Sequence, residues 1–258
     1  MGSPTSPPPD PNQAVQEQFN IQRNWLLNLL PPSRTVCPIC RGARDPGYPR
    51  CYACNQTYRA SGAILADAVV PISYSPDNGQ HYHQIKVYKS PTSPNRLAHF
   101  RLAVLYTLFH NAHRRCLERA AGGAFTHIAT VPSTRARAGV HPLQQIIQVA
   151  HGSLSLITGA ANEAYGNVRE FACDRFQVLP LAATPSPPRV LLLEDLWVTG
   201  ARAQSMAHAL KKAGAAAVVA VALGRQINHD HPPNRSLLEA ARQAPFDISR
   251  CAIDDVYV

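Results

Sequence analysis

Val190-Leu191-Leu192-Leu193-Glu194-Asp195-Leu196-Trp197-Val198-Thr199-Gly200-Ala201-Arg202 is the most informative stretch of the 258-residue chain. Four consecutive apolar residues, Val190–Leu193, read as a strand buried on both faces, with no alternation to set one side in water. Two adjacent acids follow, then a short loop containing Thr-Gly, then a helix. Strand, loop and helix in this order belong to a parallel α/β sheet, whose ligands bind at the carboxyl ends of its strands. Backbone N–H groups of the loop and of the helix N-terminus suit a phosphate. Glu194 and Asp195 suit the hydroxyls of a sugar. The chain has neither G-x-x-x-x-G-K-S/T nor G-x-G-x-x-G, which excludes a P-loop nucleoside triphosphatase and a dinucleotide-binding fold.

Outward from this unit, strands and helices alternate. Phe125–Val131, Phe176–Leu181 and Ala216–Leu223 read as strands, and Leu143–Leu156, Ala201–Ala213 and Arg235–Arg242 as helices. Residues 95–120 carry Leu97, Phe100, Leu102, Leu105, Leu108 and Phe109 on a broad apolar helical face. Asp247–Val256 is expected to add a final strand. Upstream, Ile64–Tyr74 and His81–Tyr88 read as two strands of a small hairpin within residues 61–90. Asn78-Gly79 between them is a hairpin turn signal. Ala14–Leu30 suits an amphipathic helix stopped by Pro31-Pro32, and the Pro/Ser-rich residues 1–13 suit a disordered leader. The expected organisation is a leader (1–13), a helix with a cysteine module (14–60), and one α/β domain (61–258) with a parallel sheet flanked by helices.

Residues 34–60 hold two C-x-x-C knuckles, Cys37/Cys40 and Cys51/Cys54, separated by ten residues. Each knuckle presents two thiolates from one tight turn, and two knuckles complete a closed tetrahedral set, the pattern of a structural Zn²⁺ site. A redox dithiol needs only one such knuckle. Cys116, Cys173 and Cys251 lie scattered and read as core or reduced surface thiols. His110, His113 and Cys116 share one helix face, and His81 and His83 alternate on the expected hairpin, where they read as exposed residues.

The formal charge is +9 and the hydrophobic fraction 45%, enough for a real core. Residues 1–130 carry +7 of that +9, so any polyanion partner is expected on the N-terminal half. Around the knuckles, Arg34, Arg41, Arg44, Arg50 and Arg59 are interleaved with Tyr48, Tyr52 and Tyr58. That set suits contact with nucleic acid or with an acidic protein, and it equally suits a solvated ribbon face. No apolar run reaches the roughly 18–20 residues of a membrane span. The first residues have no secretory pattern, so a cytoplasmic protein is expected.

The hydrophobic strand, paired acids and Thr-Gly loop resemble the phosphoribosyl pyrophosphate signature of type I phosphoribosyltransferases. With the four-cysteine ribbon upstream, the chain resembles the ComF family, the competence-associated phosphoribosyltransferase-like proteins. Tyr88-Lys89 is similar to the family's Tyr-Lys after the hood strands. Val131-Pro132-Ser133-Thr134-Arg135-Ala136-Arg137-Ala138-Gly139, followed by Gln144-Gln145, is similar to its Val-Pro, Arg-x-Arg and Gly-x-Asn-Gln segment. Asn167-Val168-Arg169 with Phe171 is similar to its Asn-Val-x-x-x-Phe stretch. Two positions depart from the loop pattern: Val198 replaces a Thr, and Arg202 replaces a hydroxyl residue. Arg202 either grips the phosphate or obstructs it.

The resemblance implies a type I phosphoribosyltransferase-like fold with a small hood, binding phosphoribosyl pyrophosphate together with Mg²⁺. It implies that Glu194 and Asp195 hold the ribose hydroxyls and that Val198, Thr199, Gly200, Ala201 and Arg202 hold the 5′-phosphate. It further implies that Ser133, Thr134 and Arg135 cradle the pyrophosphate. Transfer of the phosphoribosyl group to a nitrogenous acceptor is the implied reaction. A non-catalytic nucleotide-binding regulator, or a DNA-uptake or recombination factor acting through the ribbon, are the alternatives. Lys89 is expected only to pack its stem across the hood.

Overall fold

A computed structural model describes residues 11–90, 93–133, 140–166, 168–182 and 186–253. In chain order the elements begin with α1 (Pro11–Gln22), α2 (Tyr52–Ala60), β1 (Ala68–Pro71), β2 (Tyr74–Pro76), α3 (Gln80–Val87) and α4 (Arg96–Ala120). They continue with β3 (His127–Thr130), α5 (Pro142–Ala150), β4 (Ser155–Ile157), β5 (Ala160–Ala161) and β6 (Phe176–Gln177). The last are β7 (Arg189–Trp197), α6 (Ala201–Lys212), β8 (Ala217–Ile227) and α7 (Pro232–Ala241).

The main sheet runs β1-β8-β7-β3-β4, with β2 also paired to β8. Every pairing in it is parallel. The apolar strands are covered on both faces, as their lack of alternation requires. Leu191, Leu193, Val219 and Val221 face a core shared with α4, α5 and α7. Val190, Leu192, Val218 and Ala220 face a second core shared with α6 and the cysteine ribbon. Each fully buried aliphatic side chain contributes about 1.5–3 kcal/mol, so β7 and β8 anchor the domain.

From β3 the chain passes through α5 to β4 on one side. From β7 it passes through α6 to β8 on the other. The two helices pack on opposite faces, and β3 and β7 are adjacent, with Thr130 opposite Leu193. The carboxyl ends of β3 and β7 thus form the topological switch point, the place at which α/β sheets take ligands in a crevice.

Several expected elements differ. The second hairpin strand, His81–Tyr88, is helix α3. His81, Ile85 and Tyr88 are all buried, and their spacing places them on one helical face. Gly224 in β8 makes this packing possible: a Cβ there would lie 2.7 Å from Ile85 Cδ1 and 3.2 Å from His81 Nε2. Asn78-Gly79 is thus no hairpin turn, and Gly79 is the N-cap of α3. The first hairpin strand is split into β1 and β2, both parallel to β8. Residues 11–13 of the expected leader belong to α1, which ends at Gln22 rather than near Leu30. The strand expected over Phe176–Leu181 shortens to β6, paired only with β5. Residues 247–253 form turns instead of a final strand, and 254–256 lie outside the described residues. No described helix is long and apolar enough to cross a membrane.

Candidate functional site

Glu194 and Asp195 lie within the last residues of β7, which runs on to Trp197. Asp195 is 5% exposed. Its Oδ2 accepts a hydrogen bond from the Tyr88 hydroxyl at 2.8 Å and pairs with Lys89 Nζ. Burial works to raise the Asp195 pKa, but the Lys89 charge and the two hydrogen bonds outweigh it and hold it below the usual carboxylate range. Lys89 therefore does more than lay its stem across the hood: it carries its charge to the sheet edge. Glu194 behaves oppositely. Burial, and next the neighbouring Asp195 charge, push its carboxyl up to about 8, and its enclosed Oε2 has no hydrogen-bond partner among the described residues. Two adjacent acids thus differ in protonation near neutral pH, because burial dominates at Glu194 while the Lys89 ammonium and two hydrogen bonds dominate at Asp195.

Beyond the acids, the chain turns through Val198-Thr199-Gly200 into α6. Gly200 sits in the left-handed region at φ 82°, and a Cβ on it would lie 2.1 Å from Trp197 Cζ2. Only glycine meets both demands. The Thr199 hydroxyl donates to the Arg169 carbonyl at 3.1 Å and accepts from the Ala201 amide at 3.3 Å. Arg202 Nη2 donates to the Pro132 carbonyl at 2.5 Å, so this guanidinium bridges the β7 loop to the end of β3. Ser133, just beyond, is exposed. Thr134 and Arg135, expected beside it, lie outside the described residues, as do Arg137 and Asn167.

Sequence reasoning missed two arginines. Arg175, fully buried, donates from Nη2 to the Glu170 carbonyl at 3.0 Å and lies 5.1 Å from the Tyr165 ring centre. Burial, and then the charge of nearby Arg202, lower its pKa. Its Nε and Nη1 have no hydrogen-bond partner among the described residues. Nothing in the local pattern marked it, since it sits in an irregular stretch. Arg225 lay beyond the strand read over Ala216–Leu223, and β8 runs on to Ile227 to include it. Its Nη1 donates to the carbonyls of Trp197 (3.1 Å) and Val198 (2.8 Å), and its Nε to the carbonyl of Cys40 (3.1 Å).

That last bond leads to the ribbon. Cys37, Cys40, Cys51 and Cys54 are all buried, with every sulfur within 4.8 Å of the others. A closed set of four sulfurs can hold a metal ion such as zinc. Cys51 caps α2, placing the second knuckle at a helix N-terminus, where negative thiolates are favoured. Hydrogen bonds from Cys37, Cys51 and Cys54 hold Cys40 well below the usual thiol range, and Arg225 adds to this.

The ribbon arginines are less available than their number suggests. Arg41 is 1% exposed and donates to the Ala252 carbonyl. Arg44 binds the Ser33 and Tyr48 carbonyls, and Arg50 lies 4.0 Å from the Tyr58 ring centre. Tyr48 and Tyr52 stay exposed. A cavity of about 190 Å³ separates α2 from the β7 loop, lined by Arg50, Thr57, Tyr58, Trp197, Thr199 and Gln204. His81, expected as exposed, is buried, with a ring nitrogen 3.0 Å from the Leu223 carbonyl oxygen.

Compared with models of known protein families and with curated proteins, the chain matches none.

Proposed function

We propose that this chain is a phosphoribosyltransferase-like protein of the ComF kind, binding phosphoribosyl pyrophosphate in the crevice between β3 and β7. The observation that carries the reading is the topological switch point with the Glu194-Asp195 pair on its floor and the Val198–Arg202 loop at its rim. The 5′-phosphate would sit on the loop amides and the N-terminus of α6. Arg202 and Arg175 would supply positive charge beside it. Glu194, whose Oε2 is enclosed and unpartnered among the described residues, would meet a ribose hydroxyl, and Asp195 would answer positive charge developing at C1.

Phosphoribosyl transfer to a nitrogenous acceptor is the reaction this arrangement supports. The bond from C1 to the pyrophosphate oxygen breaks, a bond from C1 to the acceptor nitrogen forms, and pyrophosphate leaves. The described residues assemble no cluster of three carboxylates; Mg²⁺ would arrive bound to the pyrophosphate, as part of the substrate.

Two observations favour a second reading, a non-catalytic nucleotide-binding regulator. Asp195 is already neutralised by Lys89, and Arg202 is tied to the Pro132 carbonyl, so the site is partly satisfied from within.

Calorimetry with phosphoribosyl pyrophosphate and Mg²⁺, paired with a pyrophosphate-release assay across purine, pyrimidine and amine acceptors, separates the two. Saturable heat with pyrophosphate release supports transfer. Saturable heat without release supports the regulator. Absence of Mg²⁺-dependent heat removes both.

A further inference from the structure

The tertiary structure brings together two cysteines that lie far apart in sequence. Cys116, in the last turns of α4, and Cys251, in the C-terminal turns, have their sulfurs 3.5 Å apart. A ring nitrogen of His113, one helical turn before Cys116, lies within 4.8 Å of both. All three side chains are buried, at 4%, 5% and 4% exposure. We propose that His113, Cys116 and Cys251 form a second zinc site, which clips the C-terminal segment onto α4. The inference is independent of what the β3–β7 crevice binds.

Three features favour a metal over a chance pair of thiols. The first is spacing. Zn–S bonds of about 2.3 Å and Zn–N bonds of about 2.0–2.1 Å in a tetrahedron set ligand atoms roughly 3.5–3.8 Å apart. The 3.5 Å between Cys116 and Cys251 falls within this range and nearly equals the 3.6 Å between Cys40 and Cys51 in the ribbon. As a thiol, Cys116 donates to the His113 carbonyl at 3.0 Å, a bond that zinc binding would release. A disulfide would need the sulfurs at about 2.05 Å.

The second feature is the histidine's outer partner. His113 Nε2 lies 2.7 Å from the Ile248 carbonyl oxygen, which accepts a ring N–H. That bond selects the tautomer whose lone pair sits on Nδ1, the arrangement of metal-ligating histidines that donate their other N–H to a carbonyl. The same carbonyl belongs to the segment that carries Cys251, so ligand and orienting partner arrive together.

Charge is the third. Zn²⁺ with two thiolates and a neutral imidazole sums to zero, and a neutral water completing the tetrahedron adds no charge, so the ion enters a buried site without leaving a net charge in it. Binding would send two thiol protons to solvent. Two sulfurs and one nitrogen are soft enough to exclude Mg²⁺ and Ca²⁺ and to suit Zn²⁺.

The C-terminal turns are also held to the body by core burial of Phe246, Cys251, Ala252 and Ile253 and by hydrogen bonds between Asn28 and the Pro245 carbonyl and Asp247 amide. Arg41 donates to the Ala252 carbonyl, and Phe246 meets Phe19 edge-on at 6.5 Å. A metal here would turn these contacts into a fixed clasp.

The test is the metal content of the full chain, purified after expression with added Zn²⁺. Two zinc ions per chain are expected by plasma mass spectrometry, falling to one in both Cys116→Ser and Cys251→Ser. Reconstitution of the wild-type chain with Co²⁺ keeps the proposal testable if either variant fails to fold. Visible bands of two ligand sets, four-sulfur and sulfur–nitrogen, are then expected. A wild-type chain holding one zinc that both serine variants retain would overturn the proposal. So would a single four-sulfur cobalt spectrum, or an unreduced mass short of two hydrogens with only one zinc bound.

Discussion

Arg225 Nε donates to the Cys40 carbonyl at 3.1 Å while Nη1 of the same guanidinium holds the Val198 carbonyl at 2.8 Å. One side chain thus ties the cysteine ribbon to the loop after β7. Gly42 makes room for it, since a Cβ there would stand 2.4 Å from Arg225 Nη2. Ribbon and loop are therefore one structural unit, with a strand residue between them.

Replacing Arg225 by Leu leaves the Cys40, Trp197 and Val198 carbonyls without this donor. Destabilisation of about 3 kcal/mol is expected, given that hydrogen bonds from a charged group are worth roughly 1.5–3 kcal/mol each. Urea unfolding measures it. Zinc should also leave the ribbon faster in the presence of a chelator, which a metallochromic dye reports. An unchanged zinc release rate would show that the ribbon does not depend on this bond.

If the four cysteines hold zinc, its removal should loosen residues 34–60 more than the sheet, because β7 and β8 keep apolar contacts on both faces while four buried thiols lose the ion that joins them. Limited proteolysis after chelation is expected to cut first within 34–60, with far-UV circular dichroism largely retained.

Gly200→Ala forces a Cβ into the Trp197 ring and a left-handed backbone onto a residue that disfavours it. The combined cost is about 2–4 kcal/mol, seen as a lower melting temperature. On the proposed reading, binding of phosphoribosyl pyrophosphate should be lost with it, since the loop amides shift.

Asp195→Asn removes the carboxylate that Lys89 and Tyr88 hold. Lys89 is partly exposed and can turn to water, so the fold should survive. Pyrophosphate release is expected to disappear. Retained release in a folded Asp195→Asn protein would remove Asp195 from the proposed mechanism.

His81 gives a pH dependence with a defined sign. Burial lowers its pKa from about 6.5 to about 4. Between these values the unfolded chain carries the extra proton, so acidification destabilises the fold by about 1.4 kcal/mol per pH unit for this group. Stability is fully present above pH 6.5 and lost as the pH falls towards 4. In His81→Gln the slope across this window should shrink by about one proton, measured by urea midpoints at successive pH values. His151, also pushed down to about 4 by burial, continues to titrate in the variant.

Much of the fold was legible because it rests on local chemistry. The runs of apolar residues in β7 and β8 could only be strands covered on both faces, and the C-x-x-C pairs could only close on one another. The hood misled because His81, His83, Ile85 and Val87 alternate with polar neighbours as a strand would. The helical reading depends on Gly224, some 140 residues away, leaving space on β8. At the site, the acids, the Thr-Gly turn and the helix start were all contiguous and readable. Lys89 was visible, but its role was not, because its pairing with Asp195 joins the residues just after α3 to the end of β7.

The sequence by itself determined the parallel α/β class, the four-sulfur set and the strand–loop–helix unit, since each is specified by residues a few positions apart. Tertiary structure alone decided that β3 and β7 meet at the switch point and that Glu194 and Asp195 differ in protonation. It also decided that Arg225 joins ribbon to loop and that His113, Cys116 and Cys251 converge. These are properties of burial and through-space charge, set by which distant segments exclude water from one another.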